Sequence, residues 1–162
     1  MPETVFGLPT HAIVVHATVV LLPLAALAVL LHAFWPVARR RLGIVTPVLA
    51  GVALVLVPLS THSGESLERS VGHNPLVERH AELADGMLPW AIGLFVVAVG
   101  LWLVDRSRER PRWVPIVAGV LAVVAVVGTV QLIVRVGHAG AQATWDGVVS
   151  TANTSGGGSD DG

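Results

Sequence analysis

Four stretches of this 162-residue chain contain no Asp, Glu, Lys or Arg: Ala12 to Ala38, Leu42 to Thr61, Gly86 to Val104 and Trp113 to Val134. They run for 27, 20, 19 and 22 residues. A bilayer core of about 30 Å is crossed by about 20 helical residues at a rise of about 1.5 Å each, so each stretch is long enough to span. One such run could be the buried helix of a soluble protein. Four in so short a chain leave too little polar sequence to coat a soluble particle, since 53% of residues are hydrophobic and 13% charged. The expected fold class is therefore all-α, a four-helix transmembrane bundle.

The expected helices cover about 11–37, 42–61, 75–104 and 113–145 of a single domain spanning residues 1–149. The low-complexity remainder, 150–162, reads as a disordered C-terminal tail. The third helix should begin before its apolar run, because Asn74-Pro75 is a good cap and first-turn pair. Its opening turns place Leu76, Val77, His80, Leu83, Ala84 and Met87 on one stripe and Glu78, Arg79, Glu82 and Asp85 on the other, which points His80 into the bundle. Prolines 23, 58 and 89 should kink their helices and release carbonyls. The first apolar run is too long, and too poor in preceding basic residues, to be a cleaved signal peptide.

All ten basic residues are Arg, and seven fall in two connections: Arg39, Arg40 and Arg41, then Arg106, Arg108, Arg110 and Arg112. Positive loops stay in the cytoplasm, so both termini and the middle connection should lie outside a bacterial cytoplasmic (inner) membrane. Trp35, Trp102 and Trp113 would mark the inner interface, and Trp90 and Trp145 the outer one. The chain has no cysteine, which excludes disulfides, iron–sulfur ligation and covalent haem attachment. There is no basic stripe or aromatic platform for nucleic acid. Membrane lipid is the expected surrounding partner.

On this topology His11, His16, His62, His73, His80 and His138 are outer-side and only His32 is inner. Each helix contributes one histidine near its outer end, and bundles build haem and metal sites from inward side chains on facing helices. Gln131, Arg135, His138, Gln142 and Trp145 form a polar stripe on the fourth helix that should turn inward, since it is costly to expose to lipid. His16, His80 and His138 are thus the expected cofactor ligands, with Arg135 as a charge partner for Glu65, Glu68 or a haem propionate. His62 and Glu65, three apart, are candidate metal ligands, although Ser63-Gly64 is a candidate helix end. His11, His32 and His73 read as interfacial residues that bond headgroups or loop carbonyls.

Thr10-His11-Ala12-Ile13-Val14-Val15-His16, Thr61-His62-Ser63-Gly64-Glu65, Glu78-Arg79-His80 and Val136-Gly137-His138-Ala139-Gly140-Ala141 with Trp145 resemble an uncharacterised bacterial family of small four-helix membrane proteins. Such proteins open with an HPxxVHFP-like motif and close with a GHxGA-like one. The resemblance covers residues 8 to about 149, and departs at Ala12 for Pro and at Ala17-Thr18 for Phe-Pro. It implies a histidine-bearing redox or haem-type membrane module.

Two function classes follow. In the first, outer-side histidines hold a b-type haem, or else a zinc or iron ion, and serve another membrane or extracytoplasmic redox protein. In the second, the chain is a structural or accessory membrane subunit without cofactor. No nucleophile elbow, phosphate loop, HExxH or Ser/His/Asp pattern marks an enzyme.

Overall fold

A computed structural model describes residues 4–5, 8–71, 74–107 and 111–155, with side chains placed for 10–65, 74–107 and 111–145. A two-residue strand pair, β1 (Thr4–Val5) and β2 (Leu8–Pro9), precedes six helices. These are α1 (Thr10–Phe34), α2 (Pro36–Leu42), α3 (Val45–Val71), α4 (Pro75–Asp85), α5 (Met87–Arg106) and α6 (Val114–Ser155). Four spans long and apolar enough to cross a membrane result, from α1, α3, α4 continued by α5, and α6. The all-α four-helix bundle is what the apolar runs predict.

The boundaries follow from proline chemistry. Pro36 has no N–H to give the carbonyl of His32, so α1 stops at Phe34 and the short α2 restarts behind it. Arg39 fills the gap, its Nε donating to the His32 carbonyl at 3.1 Å and its Nη2 to that of Ala33 at 2.7 Å. Gly43, at φ 40°, then turns the chain into α3 in a conformation that few other residues adopt. Pro89 likewise cannot bond the Asp85 carbonyl, and the expected third helix breaks there into α4 and α5 at Gly86. Asn74 caps α4, its Oδ1 accepting from the Leu76 N–H at 2.9 Å.

Two further ends run past the expected bounds. α3 runs on through Ser63-Gly64 to Val71, since glycine weakens a helix without ending it when its flanks remain bonded. α6 continues to Ser155, past the expected start of the tail at 150; residues 156–162 lie outside the described residues.

The helices form a ring in which α1 lies beside α3 and α6, α5 closes the ring opposite it, and α4 lies on α6. The centre is built from small residues: Ala25, Ala26, Ala50, Ala53, Ala91, Ala98, Ala122 and Ala125, with Leu22, Val29, Val57, Leu94 and Leu101 between them. The large apolar side chains, among them Val20, Val55, Val96 and Ile116, face outward. This arrangement suits lipid, where burial of apolar surface drives nothing and close backbone approach drives packing. Counting about 20 residues from Phe34, Val45, Arg106 and Val114 places the far edge of a bilayer core near Val14, Glu65, Gly86 and Val134. α4 and the second half of α6 therefore project beyond it.

Candidate functional site

Polar side chains gather at the two ends of the bundle. At the end where α1 begins, His11 is half-buried, and its Nδ1 lies 3.1 Å from Ser63 Oγ on α3. Ser63 commits its own proton to the Ser60 carbonyl at 2.9 Å, so its oxygen accepts from the imidazole. The ring lies over Gly64, where a methyl group would come within 3.1 Å of Cε1.

His80 repeats the pattern from α4 to α6. Its Nδ1–H donates to the Val136 carbonyl at 3.0 Å, and a methyl group at Gly140 would come within 3.0 Å of its Cε1. His80 is half-buried with Leu76, Val77, Leu83, Ala84 and Met87, while Glu78, Arg79, Glu82 and Asp85 are exposed, as the stripe predicts. A neutral imidazole that donates from Nδ1 carries its lone pair on Nε2.

The other expected ligands are placed differently. His16 is exposed, and its Nδ1–H turns back to the Ala12 carbonyl at 2.6 Å. His138, Arg135, Gln131, Gln142 and Trp145 are all exposed, so the polar stripe of α6 faces outward. The face that α6 turns to α4 is the small one, Val136, Ala139 and Gly140, because only it admits the His80 ring. From Arg135 onward the stripe lies at or beyond the bilayer edge, where water and headgroups satisfy it, and Gln131 stands one turn inside that edge. Arg135 makes no ion pair among the described residues, and the side chain of Glu68 lies outside them.

His62 and Glu65 share one exposed face of α3 at 4.0 Å. Among the described residues no three His, Asp or Glu side chains converge as a metal group. His73 lies outside the described residues.

The opposite, arginine-rich end holds the two most completely buried polar residues among those described, Thr46 and His32, the second being the histidine read as merely interfacial. His32 is 0% exposed. Its Nε2–H donates to Asp105 Oδ2 at 2.9 Å, and Thr46 Oγ1 lies 2.9 Å from Nδ1, so α1, α5 and α3 meet on one ring. Arg39 Nε stands 3.7 Å from Asp105 Oδ1. Arg106 lies over Trp102, 4.0 Å from the ring centre. Arg39, Arg40, Gly43, Ile44, Trp102, Asp105 and Arg106 border an open cleft of about 470 Å³.

A signal for these residues exists in the sequence. His11, Val15, Thr18, Leu22, Ala25, Val29 and His32 recur at spacings of four and three, and all but Val15 and His11 are fully buried. Thr46, Ala50, Ala53 and Val57 on α3, and Ala91, Leu94, Ala98, Leu101 and Asp105 on α5, keep the same spacing. His16 and His138 fall off these rows.

An Ala-packed ring of four spanning helices sheathed in outward-facing Val, Leu and Ile, with its charged side chains, among the described residues, confined to the two ends, defines an integral membrane protein. The chain belongs to the family described as predicted membrane protein (DUF2231), whose profile matches residues 7–153. No curated protein and no solved structure matches it significantly.

Proposed function

We propose that this protein is a histidine-bearing redox or metal module of a bacterial cytoplasmic membrane, with both termini and the His11–His80 end on the outer side. The arginine content of the two connections at the other end supports that orientation. One observation carries the functional reading: His11 and His80, from helices remote in sequence, stand at the same end of the bundle, each with its Nδ1 engaged by a hydroxyl or carbonyl oxygen of a neighbouring helix. Ligating imidazoles are held in this way, by a hydrogen bond from the other ring nitrogen to a carbonyl or hydroxyl.

A b-type haem needs two such ligands and suits the pair better than a zinc or iron ion, which would recruit further donors such as His62 and Glu65. Arg135, exposed at the same level on α6, suits a haem propionate at the rim. The partner would be another membrane or extracytoplasmic redox protein. The test is an absorption spectrum with metal analysis of detergent-purified protein expressed with haem precursor and metals supplied. A Soret band or stoichiometric metal that is lost in His11→Ala and His80→Ala, and retained in His16→Ala and His138→Ala, supports the reading. Neither chromophore nor metal in the wild type overturns it.

A second reading is favoured by the packing of each imidazole directly over a glycine: the two histidines clasp α1 to α3 and α4 to α6 in an accessory subunit without cofactor. It predicts that His11→Ala and His80→Ala lower stability alike in protein that carries no cofactor.

A further inference from the structure

The arginine-rich end carries chemistry that the histidine module does not use. Its cleft, of about 470 Å³, is bordered by three guanidinium groups, Arg39, Arg40 and Arg106, against one carboxylate, Asp105. Asp105 is already shared by His32 and Arg39, and Arg39 also holds the free carbonyls at the end of α1. Arg40 and Arg106 have no carboxylate within ion-pair distance among the described residues. The Arg106 guanidinium carbon lies over the Trp102 ring, 4.0 Å from its centre, a cation–π contact that leaves the N–H groups free of any carboxylate among the described residues. Such a cleft has an excess of positive charge, two donors of planar fork geometry and a stiff aromatic wall.

Its position decides what anion it fits. Ile44, one border of the cleft, is 51% exposed, and Trp35, Val45, Leu103 and Trp113 are exposed apolar residues at the same end of the bundle. Trp at this level marks the interface between hydrocarbon and headgroups. An anion whose phosphate sits between Arg40 and Arg106 would have an apolar protein surface directly below it, where acyl chains can lie. A soluble phosphate would gain nothing from that surface.

We propose that this cleft binds the phosphate of an anionic phospholipid, held by Arg40 and Arg106 with Trp102 as its wall. Arg39 is a positioning residue: it caps α1 and holds Asp105 beside His32, which keeps the α1–α2 corner open against α5. Basic recesses between spanning helices recognise anionic headgroups in this way. The proposal does not rest on the histidine module.

The test uses full-length protein, delipidated in an uncharged detergent and titrated with short-chain phosphatidylglycerol, short-chain phosphatidylcholine or inorganic phosphate. Retained lipid is read by native mass spectrometry and stabilisation by thermal unfolding. Phosphatidylglycerol should bind and raise Tm where phosphatidylcholine does not. Arg40→Gln/Arg106→Gln should weaken it by about fivefold per arginine removed. Arg41→Gln/Arg112→Gln removes the same charge from exposed positions outside the cleft and should leave binding unchanged. Arg40→Lys/Arg106→Lys keeps the charge but not the fork, and should fall between wild type and the glutamine pair, which separates recognition from misfolding. Equal binding of phosphatidylcholine, equal loss in the Arg41/Arg112 pair, or full saturation by inorganic phosphate alone would each overturn the assignment.

Discussion

His32 Nε2 meets Asp105 Oδ2 at 2.9 Å across 73 residues of sequence, and the imidazole is 0% exposed. A ring so placed has no water to fall back on, so both nitrogens must be satisfied by protein, and they are, by Asp105 and Thr46. The bond fastens α1 to α5, which lie opposite each other in the ring, at the end where α1 is interrupted by Pro36. Removing one partner therefore costs more than the bond is worth, because the other is left buried and unpaired.

Asp105→Ala should destabilise the protein by about 1–3 kcal/mol, the cost of an orphaned buried donor. Thr46→Val and Asp105→Ala together should lose less than the sum of the two, since both act on one ring. Thermal unfolding in a mild detergent, run as a double-mutant cycle, measures both; strict additivity would show that His32 does not couple them.

The ring of Trp90 on α5 occupies the space in which a side chain at Gly128 on α6 would lie. Gly128→Ala should cost about 1–3 kcal/mol through overpacking. Trp90→Ala should relieve most of that cost in the double variant. An unchanged Tm for Gly128→Ala would mean that the ring moves out freely.

Gly140→Val should displace the His80 ring and break its bond to the Val136 carbonyl, whereas Gly137→Val, where a Cβ meets nothing within 4 Å, should be neutral at the site. If the histidine module holds haem or a metal, loading falls in the first variant and not in the second. Absorbance and metal content per protein give the comparison. Equal loading in both would separate His80 from the site.

Thr129 is 1% exposed, and its Oγ1 has no hydrogen-bond partner among the described residues. Thr129→Val keeps the shape and removes the unpaired hydroxyl, so it should stabilise the protein, by up to about 1–3 kcal/mol. A fall in Tm on this substitution would reveal a partner for the hydroxyl.

Reporter fusions after Arg40 and Arg108 should read cytoplasmic, and fusions after Gly72 and Gly158 should read outside. The reverse pattern would invert the proposed orientation, and with it the side on which His11 and His80 stand.

What the residues determine without tertiary information is everything set by length and charge. The four spans, their order and the amphipathic phase of α4 are legible because an uncharged run of about 20 residues has one stable solution in lipid and because Glu78, Arg79, Glu82 and Asp85 mark a wet face. The rotation of the spanning helices is not marked in that way. Both faces of α1 and α6 are apolar, so hydrophobicity does not separate inside from outside, and His16, His138 and Arg135 look inward only until α1 and α6 are turned. That turn is decided by close packing: Gly64 and Gly140 admit the rings of His11 and His80, and alanines bring the backbones together along rows that end in His32, Thr46 and Asp105. Which histidine meets which partner thus depends on shapes meeting across four helices, and only the assembled bundle decides it.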